Sequence, residues 1–167
     1  MVDRHVVKMC LETAQLLSTA HRFLDGKPVD SLTKTGRKTQ AYVLPDERES
    51  VMYKITHFNH PSAVWTRSSI ENYWWLVEHF YALLNEYTRR FNKQHKCFDM
   101  AFYLQSPPKQ LEQFDWTPVP SCMDDKYIVS KDPIINYRNY YKVGKSHLHA
   151  WKTRQPPEWI VNNDKMD

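Results

Sequence analysis

The segment from residue 68 to residue 92, SSIENYWWLVEHFYALLNEYTRRFN, constrains the fold more than any other part of the chain. Its apolar side chains recur at intervals of three and four residues and cover most sides of a helix, which is typical of a helix surrounded by other elements. Ser68 stands three residues before Glu71, the spacing of a capping box, so the helix is predicted to begin there. The sequence therefore predicts one long central helix, with Trp74, Val77, Tyr81 and Leu84 among its core residues.

A second long helix is predicted over residues 3 to 24, because apolar residues follow a 3.6-residue repeat and Gly26 stands just beyond. Its other side carries a polar stripe at alternating steps of three and four residues: His5, Lys8, Glu12, Gln15, Thr19 and Arg22. Such a stripe is most often a solvated face. On a solvated face, an ion pair between Lys8 and Glu12 contributes only a few tenths of a kcal/mol, roughly 0.2–0.5.

A third long helix is predicted from Asp132, an N-cap residue followed by Pro133, to about Arg154. Two sets of side chains alternate along it, an apolar seam and a basic ridge. The seam consists of Ile134, Tyr137, Tyr141, Leu148 and Trp151, and the ridge consists of Arg138, Lys142, Lys145, His149 and Lys152.

The remaining segments are predicted to be short or irregular. Residues 26–40 mix glycine, proline, serine and threonine with four basic side chains and show no apolar period, which favours a mobile basic loop. A short helix is predicted between Pro45 and Pro61. It should end before Pro61, because a proline disfavours the helical conformation in the residue that precedes it. Residues 97–131 form an irregular proline-rich connector, and residues 155–167 form a tail in which Trp159 packs back onto the body.

These segments together predict an all-α protein, a single compact domain over residues 1–167 with three long helices, short helices and irregular proline-rich connectors. The three glycines argue against a barrel or a glycine-rich phosphate loop. No run of about 18 apolar residues and no secretory signal is present, so no membrane contact and a cytoplasmic location are expected, the host cytoplasm for a viral protein. Reduced, unpaired thiols are expected, because the three cysteines are odd in number and widely spaced, with no C-x-x-C pair. A monomer is also expected.

The net charge of +4 is compatible with a polyanionic partner. A metal site is a weaker alternative: His57, Asn59 and His60 resemble an HNH nuclease element only superficially, because the paired cysteines of such sites are missing. The chain also lacks the G-x-S-x-G motif of serine hydrolases. Nucleic-acid binding without a metal or another cofactor is therefore the favoured class.

Residues 3–28, DRHVVKMCLETAQLLSTAHRFLDGKP, resemble the first helix of the phage pyrimidine-dimer DNA glycosylase (endonuclease V) family. In that family an Asp-x-His start is followed about two helical turns later by a glutamate and then by a Gly-Lys loop. Here these positions are Asp3, His5, Glu12 and Gly26. Further similarity lies at His60, in the following long helix, and at INYRNYYKVGK. The match is closer to a group of phage proteins that share a D-x-H-V-V-K-M start and an N-H-P-x-x-x-W element.

The resemblance implies a DNA-repair enzyme that extrudes a nucleotide from double-stranded DNA, cleaves the glycosidic bond and nicks the strand through an imine. It implies Glu12 as the acid/base residue and His5 as its neighbour. The basic side chains and the resemblance together suggest the following DNA contacts: Lys8, Gln15, Arg22, Lys34, Arg37, Lys38, His60, Arg138, Lys142 and Lys145.

Two departures from the family pattern affect these expectations. The family's nucleophile is the N-terminal amine, which follows a longer leading segment, whereas Met1 here stands almost directly before Asp3. A missing N-terminal segment, loss of the lyase step, or a substitute lysine are the three expectations that follow. Leu11 and Gln15 stand where the family tends to carry arginines that grip the lesion, so recognition of pyrimidine dimers in particular is in question. The alternatives are a non-catalytic DNA-binding relative and a metal-dependent nuclease.

Overall fold

A computed structural model describes residues 1–161 of the chain. Its elements follow in order: α1 (Asp3–Asp25), β1 (Lys27–Leu32), β2 (Lys38–Val43), α2 (Arg48–Val51), α3 (Pro61–Thr66), α4 (Ile70–Phe91), α5 (Ala101–Leu104), α6 (Pro133–Val143) and α7 (Glu158–Val161). Short 3₁₀ turns lie at Lys96–Met100, Asp125–Tyr127 and Ser146–Leu148. Residues 162–167 of the expected tail lie outside the described residues.

The expectation of an all-α protein is wrong, because residues 27–43 form an antiparallel β-hairpin. Its register runs from Lys27 opposite Val43 to Leu32 opposite Lys38. The hairpin closes through hydrogen bonds between Thr33 and Arg37, and Gly36 takes a left-handed φ of 78° that favours glycine. The predicted mobile loop is therefore an ordered structure, which sequence periodicity missed because most of its side chains are exposed on both faces.

α1 and α4, of 23 and 22 residues, pack against each other at the centre of the molecule. The long central helix was thus predicted correctly, although it begins one residue later than expected. Ser69 caps it by accepting a hydrogen bond from the Asn72 amide at 3.1 Å, while the Ser68 hydroxyl donates to the Trp65 carbonyl. Trp74 was wrongly assigned to the core, since it is exposed to solvent.

The third long helix is shorter than predicted. Asp132 caps α6 as expected, with its carboxylate accepting from the Ile134 amide at 2.8 Å. The helix has only 11 residues and ends at Val143, after which the chain makes a 3₁₀ turn. At Gly144 a Cβ atom would lie 2.6 Å from the Tyr127 ring, so the glycine allows a close approach between these segments. Ile134 was expected in the core but is 59% exposed.

The core fills the space between α1, α4 and the α5 region. Its fully buried side chains include the following residues: Val6, Cys10, Ala14, Leu17, Tyr73, Phe80, Cys97 and Leu104. Between Pro45 and Pro61 only α2 is helical, and residues 105–124 are irregular as predicted, whereas residues 96–104 form a 3₁₀ turn and α5. In residues 1–161, no helix has the length and apolar character that a bilayer crossing needs.

Candidate functional site

Two polar side chains of the first half of α1 remain accessible and adjacent. Lys8 Nζ lies 2.9 Å from Glu12 Oε1, an i, i+4 ion pair in which the side chains are 63% and 32% exposed. An exposed pair of this kind contributes little to folding, roughly 0.3–0.5 kcal/mol. The pair nevertheless places a primary amine and a carboxylate in direct contact, where both can be reached from solvent.

α6 places a tyrosine against His5, one turn before Lys8 on the same stripe. The Tyr141 hydroxyl and His5 Nδ1 form a short hydrogen bond, and the two rings meet edge to face at 5.4 Å. Burial raises the pKa of Tyr141 well above its usual range, so the hydroxyl keeps its proton at neutral pH. A protonated hydroxyl can donate to His5 Nδ1 or accept from it, according to which ring nitrogen carries the proton.

The charge state of His5 follows from its surroundings. Burial lowers the pKa of His5, and the nearby positive charges of Lys145 and Lys8 lower it further, while Glu12 opposes them. The imidazole is therefore mainly neutral at pH 7. The hydrogen bond between Tyr141 and His5 joins α6 to the polar stripe of α1, and Lys145, two residues beyond the end of α6, acts on the same ring.

The basic ridge of α6 extends this cluster. The Arg138 guanidinium lies over the Trp159 ring at 5.7 Å, and the Trp159 ring lies 6.2 Å from that of Tyr141. Lys145 Nζ lies 4.9 Å from the Tyr140 ring centroid. The prediction that Trp159 packs back onto the body is thus confirmed, and its ring lies between a cation of the ridge and the tyrosine that contacts His5. We call His5, Lys8, Glu12, Tyr141 and Lys145 the α1–α6 cluster.

The basic side chains of the hairpin form a separate surface. Lys34, Arg37 and Lys38 surround the turn and are all exposed. The hairpin begins at residue 27, about 22 Å along the axis of α1 from Glu12 at a rise of about 1.5 Å per residue. Within residues 1–161, no hydrogen bond or ion pair joins these three side chains to the α1–α6 cluster.

His60 and Gln15 lie on elements next to the cluster. His60 is exposed and caps α3, with Nδ1 accepting from the Ser62 amide at 3.2 Å. The start of α3 is linked to α6 through Cys122, whose Sγ lies 3.3 Å from Ser62 Oγ and whose amide donates to the Tyr137 hydroxyl at 3.3 Å. Gln15 is partly buried on α1.

Arg22 was expected to contact DNA, and this expectation is wrong because its side chain is fully buried. Its guanidinium donates to the Tyr53, Tyr42 and Met52 carbonyls at 2.5, 2.9 and 2.9 Å. It also forms a 2.5 Å ion pair with Glu49. Arg22 thus joins α1 to β2 and to the segment after α2, and it has no access to a ligand outside the protein.

The start of α1 is held by the chain that follows α6. The Asp3 amide donates to the Ala150 carbonyl at 3.0 Å, and the Asp3 carboxylate accepts from the Lys152 amide and from Arg90, each at 2.8 Å. A cavity of about 300 Å³ lies nearby and is lined by Met1, Glu86, Arg90, Trp151, Arg154, Gln155 and Pro157. Glu12 does not line this cavity.

The sequence did not identify Tyr141 as a member of the cluster. It stands four residues after Tyr137, and this spacing placed both tyrosines in the predicted apolar seam. The weak signal that could have found it is the tyrosine density of α6 beside a basic ridge. Among residues 1–161, no group of three or more histidine, cysteine, aspartate or glutamate side chains is arranged to hold a metal ion. No protein-family model, no curated protein and no solved structure matches this chain.

Proposed function

We propose that this protein is a DNA-repair glycosylase or abasic-site lyase that acts on damaged pyrimidines in double-stranded DNA, with Glu12 as the acid/base residue. The observation that carries the proposal is the 2.9 Å contact between the Lys8 amine and the Glu12 carboxylate on an accessible face. The resemblance of residues 3–28 to the phage pyrimidine-dimer glycosylase family supports the same reaction. Such an enzyme would work as a monomer in the cytoplasm, the host cytoplasm for a phage protein.

The chemistry needs an amine and a nearby proton acceptor. Lys8 Nζ attacks C1′ of the sugar; at a damaged nucleotide the pyrimidine leaves and takes up a proton, and at an abasic aldehyde water leaves. At an abasic aldehyde this gives an imine directly. At a nucleotide it gives a glycosylamine, whose C1′–O4′ bond then breaks to give the imine as O4′ takes up a proton. The Glu12 carboxylate then accepts a proton from C2′, the C3′–O bond breaks, and the 3′-phosphate departs. Water hydrolyses the imine and restores the lysine.

His5 and Tyr141 have a positioning role in this proposal. In this proposal the Tyr141 hydroxyl donates to Nδ1 of the neutral His5 ring, an arrangement that leaves the Nε2 proton available to an acceptor. A phosphate or sugar oxygen of bound DNA is such an acceptor. Lys145, whose charge acts on His5, adds a cation for a neighbouring phosphate.

Binding must offset the cost of extruding a nucleotide, which is on the order of a few kcal/mol and lowest at a damaged step. Phosphate contacts on both sides of the lesion can supply this free energy. Lys145 of the cluster, with Arg138 and Lys142 of α6 beside it, is one source, and the hairpin turn with Lys34 and Arg37 is a second source. Two separated basic surfaces fit a duplex that is contacted on either side of one nucleotide.

Borohydride trapping on a duplex that contains one abasic site tests the proposal. Borohydride reduces the imine to a stable amine, so we expect a covalent protein–DNA adduct that migrates as a discrete band and maps to Lys8 by peptide mass spectrometry. Lys8→Ala should lower the adduct yield at least about tenfold, since it removes the nucleophile. Lys93→Ala, at another exposed lysine, is the matched control and should leave the yield unchanged.

Glu12→Gln separates proton abstraction from DNA binding. It should abolish strand nicking and leave DNA affinity nearly unchanged, because it removes the proton acceptor and keeps the shape of the side chain. The control is Glu47→Gln, at an exposed glutamate outside the cluster.

Two outcomes would support the alternative functions. DNA binding without any adduct in the borohydride assay would identify a non-catalytic DNA-binding relative. Cleavage that EDTA abolishes would identify a metal-dependent nuclease.

A further inference from the structure

One side of α4 exposes a row of aromatic and acidic side chains. Glu71, Trp74, Trp75 and Glu78 stand at positions i, i+3, i+4 and i+7, so they share one face of the helix. All four are exposed, while the intervening residues of the helix are mostly buried in the core. This face is therefore directed away from the packing of α4 against α1.

A second row lies beside the first, in the irregular segment after α5. Phe114 contacts Trp74 edge to face with ring centroids 6.3 Å apart, and Trp116 lies 6.2 Å from Trp75. The exposed fractions are 44% for Trp74, 38% for Trp75, 57% for Phe114 and 46% for Trp116. With the flanking carboxylates, the two rows form what we call the acidic tryptophan face: Glu71, Trp74, Trp75, Glu78, Glu112, Phe114, Asp115 and Trp116.

The second row is fixed to the helix by hydrogen bonds. The Ile70 amide donates to the Gln113 carbonyl at 2.7 Å, and the Thr117 amide donates to the Asn72 side chain at 3.0 Å. The indole of the buried Trp65 donates to the Thr117 carbonyl at 2.9 Å. The backbone that carries Phe114 and Trp116 is thus fixed to α4 before any partner binds, which lowers the entropy cost of binding.

The charge around these rings has one sign. Residues 68–88 and 110–125 contain no lysine or arginine, and four of their carboxylates stand next to the rings in sequence: Glu71, Glu78, Glu112 and Asp115. Glu86, farther along α4, pairs with Arg90 and Arg154 instead. Carboxylates repel the phosphates of a nucleic acid, whereas tryptophan faces and carboxylates both attract cationic side chains.

We propose that the acidic tryptophan face binds an extended lysine- and arginine-rich segment of a partner protein. Guanidinium and ammonium groups of such a segment stack on the exposed indole rings and pair with the carboxylates at either end of each row. The proposal is independent of the reaction at Glu12, because the acidic tryptophan face shares no residue with the α1–α6 cluster. It gives the protein one surface for a basic protein and two basic surfaces for an acidic polymer.

Fluorescence anisotropy of a labelled octapeptide of alternating lysine and arginine, titrated with the full chain, tests this proposal. We expect saturable binding that weakens as salt rises. The double variant Glu78→Lys/Asp115→Lys should weaken binding at least about tenfold through charge repulsion. Trp74→Ala/Trp116→Ala should weaken it about tenfold through loss of stacking. Phe102→Ala, at an exposed aromatic residue outside this face, is the control and should bind as the parent does.

Circular dichroism and thermal melting show whether each variant folds, and Glu78→Gln/Asp115→Asn provides a milder pair should the charge reversal unfold the chain. Absence of saturable binding, or equal binding by the charge-reversed variant, overturns the proposal. Binding of single-stranded DNA that Trp74→Ala/Trp116→Ala abolishes would assign the face to nucleic acid instead. A concentration-dependent dimer in sedimentation velocity that the charge reversal abolishes would assign it to a second copy of the chain.

Discussion

The two halves of α1 carry polar side chains on the same helical stripe but meet different surroundings. In the first half, Lys8 and Glu12 form a pair that solvent reaches. In the second half, Thr19 and Arg22 are completely buried and bonded to the carbonyls of the segments after the hairpin. The comparison teaches that the spacing of polar residues identifies a face, and that the elements which cover the face decide whether it stabilises the fold or remains available to a ligand.

Beside the buried half of the stripe lies a second polar network with a defined proton arrangement. His21 Nδ1 accepts from Arg48 at 2.8 Å, so its Nε2–H donates to the Tyr73 hydroxyl at 2.8 Å, which in turn donates to the Leu104 carbonyl. Arg48 also pairs with Asp25 at 2.6 Å. Burial favours the neutral form of Asp25, but hydrogen bonds from Arg48 and from the backbone amides of Lys109 and Gln110 outweigh it and lower the pKa of Asp25 well below its usual range.

The largest expected effect is on folding, from Arg22→Met. The substitution leaves four backbone carbonyls and the Glu49 carboxylate without their partner, so the free energy of unfolding should fall by about 3–5 kcal/mol, read from the urea midpoint. Arg22→Lys should rescue little, because one ammonium cannot replace the planar guanidinium. Arg37→Met, on the exposed hairpin turn, is the control and should change stability by less than about 0.5 kcal/mol. A loss below 1 kcal/mol for Arg22→Met would contradict its buried role.

A smaller effect is expected from pH. Burial lowers the pKa of His21 from 6.5, with Arg48 adding to the shift and Asp25 opposing it. Above pH 6.5 both the folded and the unfolded chain hold this ring neutral; below it only the unfolded chain takes up the proton readily. Stability should therefore fall as pH drops from 6.5 to 5, by at most about 2 kcal/mol for one proton at about 1.4 kcal/mol per pH unit.

His21→Gln should flatten this dependence. The burial of His5, His79 and His95 also lowers the pKa of each ring, so the substitution should reduce the slope of stability against pH without removing it. Thermal melts of the parent and the variant at several pH values measure the difference. An identical slope in both proteins would show that His21 does not titrate as described.

The exposed half of the stripe, by contrast with Arg22, should contribute little to the stability of the fold. Lys8→Ala and Glu12→Gln should each change the free energy of unfolding by less than about 0.5 kcal/mol, as is usual for an exposed i, i+4 pair. Their effect should lie in the abasic-site reaction proposed above. Chemical denaturation measured beside the nicking assay makes the comparison direct. A loss of several kcal/mol would place this pair with Arg22 as a folding device.

The smallest effect on stability is expected at the hairpin turn. Lys34→Ala with Arg37→Ala removes two exposed charges and should leave the melting temperature unchanged. If the turn contacts phosphates, the slope of log affinity for DNA against log salt should become shallower by about 1.8 for the two contacts. An unchanged slope would remove the hairpin from the DNA-binding surface.

The sequence by itself determined α1, the existence of the long α4, the cap of α6 and the irregular proline-rich connector, because each depends on local periodicity or on a capping residue. It also placed His5, Lys8 and Glu12 on one face. It could not determine the hairpin, whose exposed strands lack a period, or the early end of α6, where Gly144 meets a ring distant in sequence. Only the tertiary structure decided that Arg22 is buried and that Tyr141 contacts His5, since both depend on which segments pack against α1.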